Sequence, residues 1–496
     1  MSGPSPKAGD LEGRRSRLTP AQRALFEKRL RAGLAAPDPA AEAAPAIPPR
    51  PEGGPGPLSF AQERLWHFAA RHPGSADHNV YHGVSFAGEL DLRALAASVR
   101  AVVERHEGLH TRFEAREGGV VAVVTPDLLP PLALADLSAL ADLARRDAEA
   151  LHLVSELVAA PFDLARGPLV RTLLLRTGPG EHALILGVHH IVIDGWSLAV
   201  FGRDLATAYE AFAGGRPFLF PAVLQAGDFA CWQRDQVASG ALDSELDWWR
   251  RHLAGAPAEG LGWPARPLAP AGRSSYDLDP SFAHMLKTFA QTQRATLFMT
   301  ILAGLLALLY RHTGEEDLVV GTPMALRGRP ETADLVGVLL NLLPLRTDLA
   351  GDPPFSDLLE RVRGTALGAF AHRHVPFERL AEELAPDRDP GSTPWVRVFF
   401  NMPTGGTGHP EPIRAGGLAV QPLLTGEVGS EFDLTFYARE YEQGIRLDLG
   451  YKAELLTPAE AGALLAELAI LLREAANHPA RRLSELARAV ELPRKE

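Results

Sequence analysis

The sequence predicts an α/β fold of layered helices and strands built in two halves, and three observations carry that prediction. The chain has 496 residues, too many for one ordinary core, so two domains of about 200 residues each are expected. The run Ala183-Leu184-Ile185-Leu186-Gly187-Val188 is too short and too aliphatic for a surface helix and reads as a buried strand. Behind it Leu198, Phe201, Leu205, Tyr209 and Phe212 recur at helical spacing, after Asp194 and Ser197, either of which can cap the first turn. The residues between them, His189-His190-Ile191-Val192-Ile193-Asp194-Gly195-Trp196, place two histidines where a core strand ends and a helix opens.

In chain order, residues 1–57 are expected to lie outside the folded body. Thr19 to Gly33 has a capping Thr, Pro20 at the first helical position and a terminal Gly, the pattern of one short helix. From Ala35 to Pro57 the composition is largely Ala, Pro, Glu and Gly, with eight prolines between Pro37 and Pro57. That is a semi-extended linker, read equally as a plain tail or a docking element. The first half, 58–250, opens with a capped helix at Ser59-Phe60-Ala61-Gln62-Glu63-Arg64-Leu65-Trp66. A helix with Leu92, Leu95, Val99, Val102 and Val103 on one stripe follows, then strands at Val120 to Val124 and Leu169 to Leu175. Gly178-Pro179-Gly180 joins the latter to the strand before the histidines as a hairpin. The second half, 251–496, starts with a Pro/Gly-rich connector, Gly255 to Gly272. It continues with a buried helix at Leu297 to Leu309, a strand at Leu318 to Pro323 and a helix at Phe355 to His372. Strands at Trp395 to Asn401 and Ile445 to Tyr451 precede a closing helix from Pro458 to Asn477. The order loosely echoes the first half, without a residue-level repeat.

Composition narrows the class. Hydrophobic content of 46% and charged content of 22% are those of a globular protein, and no apolar stretch is long enough to span a bilayer or to act as a signal region. The single cysteine, Cys231, excludes an internal disulfide and a cysteine-built metal site, and fits a reducing interior. A cytoplasmic, monomeric protein without a membrane partner is the expectation. The net charge of −11 argues against nucleic acid as a partner.

Adjacent side chains on a strand face opposite ways, so His189 and His190 are not expected to share one metal ion. One is then a candidate for proton transfer, which imidazole performs near neutral pH, and the other for a structural hydrogen bond, with Asp194 bracing the turn. Taken alone, the pair reads equally well as two satisfied core histidines.

The surrounding motifs change the balance. His-His, three apolar residues and Asp-Gly are the signature of the chloramphenicol acetyltransferase-like acyltransferases, and the chain from Leu58 onward resembles a nonribosomal peptide synthetase condensation domain. Ser59 to Trp66 looks like the family's first motif and Arg105-His106-Glu107 through Phe113 like its second. Gly227-Asp228-Phe229-Ala230-Cys231-Trp232 matches the fourth, and Val336-Gly337 through Asn341-Leu342-Leu343-Pro344-Leu345-Arg346 the fifth. His374-Val375-Pro376-Phe377-Glu378 and Arg388-Asp389 through Val398-Phe399-Phe400 match the sixth and seventh.

The resemblance implies a pseudo-dimer of two acetyltransferase-like lobes in a V, with a tunnel between them. A donor acyl thioester on the phosphopantetheine of a carrier protein enters one mouth and an acceptor the other. It implies His190 as the catalytic histidine, as base or as the group that orients the acceptor amine. His189 and Asp194 hold the site, and Gly195 leaves room beside the thioester, where an N–H can steady an oxyanion. No metal or directly bound cofactor is implied, because a thioester is already activated. Asp194 is expected to pair with an arginine of the second motif. That motif departs from the usual Leu-Arg-Thr, reading Leu109-His110-Thr111, which leaves Arg105 and Arg112 as candidates. Arg112, beside Phe113, reads better as a surface residue. Trp196, Ser197 and Asn341 are the candidate substrate contacts. Core packing is the preferred reading for Trp196, Trp232 and Trp395, and for Asn341 ending a strand is an equal one.

The order Trp196-Ser197 prefers condensation over epimerisation, and the intact histidines exclude the heterocyclising branch. No second histidine pair marks a dual epimerising type, since His106 and His110 are not adjacent. Two other classes stay open: a free-standing acyltransferase acting on a small alcohol or amine, and a non-catalytic recruitment domain, which usually loses a histidine that this chain keeps.

Overall fold

The computed structural model describes residues 46–50, 55–257, 272–388, 392–403, 413–427 and 429–489. The helix expected at Thr19 to Gly33 and most of the connector expected at Gly255 to Gly272 lie outside the described residues.

The histidine strand, Glu181–His189, sits inside a six-stranded sheet ordered Ile413–Ala415, Leu418–Glu427, Asn79–Ala87, Glu181–His189, Val170–Gly178 and Leu132–Asp136. The expected hairpin is present, with Val170–Gly178 antiparallel to Glu181–His189. The strand is aliphatic at consecutive positions because both of its faces are covered. Leu184, Leu186 and Val188 belong to the main core of this half, while Ala183 and Ile185 pack with Leu173, Leu175 and, at the margin, Leu153 and Leu157. The latter two come from the helix Leu143–Ala159, which is absent from the elements expected above. Gly187 lets this helix approach closely, since a Cβ there would lie 3.0 Å from Leu157 Cδ2.

The helix after the motif runs Gly195–Ala213 and buries Leu198, Phe201, Leu205 and Tyr209 as the periodicity predicts. The Tyr209 hydroxyl accepts the Asp91 N–H at 3.0 Å, tying this helix to the start of the helix Leu92–Arg105.

The second six-stranded sheet is ordered Leu340–Asp348, Asp317–Ala325, Val398–Asn401, Leu434–Tyr441, Gly444–Tyr451 and Gly272–Leu278. Its core helix, Leu297–Thr313, is buried from Met299 through Leu309 and ends at Gly314, φ 73°, the left-handed conformation that glycine adopts without strain. The strands Leu340–Asp348 and Leu434–Tyr441 go beyond the expected set. Their sequences read as motif or loop when taken without their neighbours.

The sheets do not divide the chain at residue 250. Leu418–Glu427 returns from the second half and pairs antiparallel with Asn79–Ala87, from Ala419 opposite Ala87 to Glu427 opposite Val80. Val336, Val338, Ala415 and Leu418 likewise join the core of the first half. Edge pairing explains the return, because Asn79–Ala87 would otherwise present unpaired N–H and C=O groups along one side.

Ile185 is 0% exposed, so Ile185→Ala is expected to cost about 2–5 kcal/mol, read as a lower denaturation midpoint with an unchanged slope. An unchanged midpoint would contradict the two-faced burial of this strand.

Candidate functional site

The strand stops at His189, and His190–Val192 forms one 3-10 turn. His189 is 4% exposed, and its Nδ1 accepts the Ile191 N–H at 3.1 Å, which leaves the proton on Nε2. His190 is half-buried, and its backbone N–H donates to the His78 carbonyl at 2.7 Å. The two histidines thus differ in environment. Burial, with smaller contributions from His78 and His190, holds the His189 imidazole well below its usual value.

Asp194 ends the turn and caps the helix, its Oδ1 accepting the Ser197 N–H at 2.8 Å and the Ser197 hydroxyl at 2.7 Å. It is also the centre of a buried clamp. Arg327 Nη2 lies 2.9 Å from both carboxylate oxygens and donates to Ser197 Oγ at 2.9 Å. Arg327 Nη1 donates to the carbonyls of Thr332 and Leu335, both at 2.8 Å. The Leu339 N–H donates to Asp194 Oδ2 at 3.1 Å, and the Gly337 N–H to Ser197 Oγ at 3.1 Å. Both charged side chains are 0% exposed. Burial alone would raise the Asp194 carboxyl, but Arg327, Ser197 and Leu339 outweigh it and hold it below the usual carboxylate range.

This overturns the expectation that an arginine of the second motif pairs with Asp194. Arg105 is turned to Asp204, at 3.1 Å, and shares that carboxylate with His106, at 2.9 Å. Arg112 lies on the strand Thr111–Arg116 and pairs with Glu114 on the same strand. The loop after the strand Asp317–Ala325 brings Arg327 instead. Nothing in the sequence flags it, since a lone arginine in a loop beside Arg329 ordinarily reads as solvated.

The candidate substrate contacts also fall differently. Ser197 is 0% exposed and is spent on the clamp. Asn341 is 5% exposed; its Nδ2 donates to the Arg373 and Val375 carbonyls at 2.8 and 2.6 Å, and its Oδ1 accepts the Phe377 N–H at 2.9 Å. That amide fastens the sixth motif to the second sheet and spends both of its Nδ2 hydrogens there. Trp196 is 40% exposed and is no core residue, whereas Trp395 is 7% exposed and packs in the core. The Trp196 Nε1–H donates to the Ala333 carbonyl at 2.9 Å, and the Arg327 guanidinium lies 5.9 Å from its ring centre. Trp232 is partly buried. Gly195 is exposed at the first position of the helix, and a Cβ there would meet nothing within 4 Å.

Arg64 of the first motif makes a second bridge between the halves. Its Nε donates to Glu378 at 3.1 Å and its Nη1 pairs with Glu431. Burial raises the Glu378 carboxyl despite the opposing pull of Arg64. Beside this bridge a cleft of about 740 Å³ opens between Phe68 and His72 on one side and Leu384, Trp395, Glu431 and Phe432 on the other. A chain of rings runs from its wall toward the motif. His72 stacks on Phe68 with centroids 4.4 Å apart, Phe68 meets His78 edge-on at 4.5 Å, and the His78 carbonyl receives the His190 N–H. Among the described residues no group of three or more His, Cys, Asp or Glu is arranged to hold a metal ion. No single described helix is long and apolar enough to cross a membrane.

Residues 54–492 match the family described as Condensation domain. The chain belongs to the condensation-domain family. It is a condensation domain of the nonribosomal peptide synthetase type, an acyltransferase class. Similar proteins include a linear gramicidin synthase chain of Brevibacillus parabrevis, 38% identical over 85% of this chain and 6% of that protein. Phosphinothricin tripeptide synthetase PhsC of Streptomyces viridochromogenes is 38% identical over 96% of this chain and 44% of its own length. The condensation domain thus spans less than half the length of these relatives. Among solved structures, the X-domain of teicoplanin biosynthesis, in complex with OxyB, is 29% identical, with a TM-score of 0.78 over 89% of this chain and 98% of that one. The first condensation domain of the calcium-dependent antibiotic synthetase, with a substrate analogue, is 25% identical, with a TM-score of 0.72 over 88% and 99%. The lobes therefore have the chloramphenicol acetyltransferase-like fold that the motifs implied.

Two expectations follow from the clamp and its histidines. Arg327→Met leaves a buried, unpaired carboxylate, and a loss of about 3–5 kcal/mol is expected in chemical denaturation. Asp194→Ala is expected to cost a similar amount, and the double variant less than the sum of the two; strict additivity would show that the pair is not coupled. Burial also holds His78, His189 and His106 below the usual imidazole value of 6.5. Below that pH the unfolded chain takes up protons that the folded chain refuses, so the melting temperature is expected to fall as pH drops from 7 to 5. Glu378, with its raised carboxyl, opposes this trend as a single group. A melting temperature flat across that range would refute it.

Proposed function

We propose that this condensation domain joins a donor acyl thioester, carried on the phosphopantetheine of a carrier protein, to an acceptor amine, and that His190 handles the proton. The supporting observation is the clamp: Asp194, Ser197 and Arg327 fix the point where strand becomes helix, and His190 stands half-buried on that rigid turn beside a buried, electroneutral pair. In the reaction the amine nitrogen attacks the thioester carbonyl, the C–N bond forms and the C–S bond breaks. His190 takes the proton leaving the nitrogen and returns it to the departing thiolate. His189, buried and neutral, supports the turn through its bond to Ile191. The exposed N-terminal end of the helix at Gly195 offers an N–H and a partial positive charge to the developing oxyanion, and the cleft beside Phe68 and His72 admits one substrate arm. Retention of both histidines favours this reading over a recruitment domain.

With donor-loaded and acceptor-loaded carrier proteins, His190→Ala is expected to lower the rate of amide formation by about 10²-fold or more at an unchanged melting temperature. Wild-type turnover by that variant would remove His190 from the chemistry. Gly195→Ala is expected to lower kcat while leaving stability near wild type, because the added Cβ meets nothing within 4 Å in the fold; an unaffected kcat would move the thioester away from this glycine.

A further inference from the structure

Several motif residues are left unused by the chemistry: Glu107 of the second motif and Gly227, Asp228 and Phe229 of the fourth. They converge on the linker. Residues 46–50 precede the folded body in sequence, yet Ile47 is 4% exposed, packed with Ala226, Phe229, Leu326, Leu335 and Leu339. The Ile47 N–H donates to Glu331 Oε1 at 3.1 Å. Three residues on, the Arg50 N–H donates to Asp228 Oδ1 at 3.0 Å, and its guanidinium pairs with Glu107 and lies 3.6 Å from Asp228. A side chain at Gly227 would collide with that guanidinium, so the fourth motif's glycine makes room for Arg50. Between the two anchors Pro48 and Pro49 are exposed, a stiff spacer with fixed φ.

The socket on the other side belongs to the clamp. Leu326 precedes Arg327, Leu335 gives its carbonyl to Arg327, and the Leu339 N–H bonds Asp194. The Leu326 N–H closes this loop on the Leu339 carbonyl at 2.7 Å. Ile47 therefore packs against the outer side of the loop whose inner side holds Asp194.

We propose that Ile47 and Arg50 are positioning residues: the linker is a strap seated in a built socket, and its seating holds the loop 326–339 so that Arg327 stays on Asp194. Loss of that seating thereby reaches the turn that carries His190. The part of this inference that concerns turnover rests on the proposed role of His190; the seating of the strap does not.

The test uses the full-length protein with Ile47→Asp and Arg50→Glu, and Ile47→Val and Arg50→Lys as conservative partners. Hydrogen exchange at the Gly337 and Leu339 amides is expected to speed up about tenfold or more in the first two variants, while Leu343 and Leu345 in the second sheet stay at wild-type rates and the conservative variants stay protected. In the carrier-protein assay kcat is expected to fall about tenfold with KM for the loaded carriers unchanged, and Ile47→Val to retain wild-type kcat. Wild-type exchange at Gly337 and Leu339 in both disruptive variants would overturn the strap, as would a uniform loss of protection across the second sheet. Altered exchange at these two amides, in a protein whose wild type forms no amide, would support the strap and place the failure in the functional reading.

Discussion

The pairing of Arg327 with Asp194 is the constraint on which the rest of the site depends. Both groups are withdrawn from water, where an unpaired charge costs several kcal/mol, so neither half of the chain can keep its own member without the other. The arrangement uses both carboxylate oxygens and both Nη groups: Asp194 accepts from Arg327, Ser197 and Leu339, and Arg327 spends its remaining Nη donors on carbonyls of its own loop. A charge pair buried in this way adds little net stability over an apolar pair. It specifies one geometry, because any other placement leaves donors or acceptors without partners.

That geometry is passed outward by further side-chain bonds. Asn341 anchors the sixth motif, Arg64 grips Glu378 and Glu431, and Ser197 Oγ accepts the Gly337 N–H. Each joins a segment of the first half, or of the second sheet, to a segment distant in sequence. The returning strand Leu418–Glu427 does the same with backbone bonds. The histidine turn is held from several sides, as the role proposed for His190 requires if its distance to substrate is to be set before substrate arrives.

Much of the fold is legible from local pattern. The helix after Asp194, the hairpin at Gly178-Pro179-Gly180, the buried helix from Leu297 and the closing helix from Pro458 all fall where periodicity and turn residues put them. The strand Leu340–Asp348 escapes local pattern because Asn341 and Pro344 interrupt its apolar run. The helix Leu143–Ala159 escapes it for a different reason: it has no fully buried residue, so its stripe is thin.

At the site, sequence alone determined the strand end, the helix start, the cap at Asp194 and the presence of both histidines, because these depend on residues within one or two turns of each other. It also carried the family, since several motifs in order are a one-dimensional property. Only the tertiary structure decided which arginine meets Asp194, which groups Ser197 and Asn341 bond, and that Ile47 of the linker reaches the same loop. Most of those pairings join residues far apart in the chain. What selects among several arginines, asparagines and serines at that range is the desolvation of a buried polar group, which is satisfied only by the particular donor or acceptor that the packed sheets bring within about 3 Å.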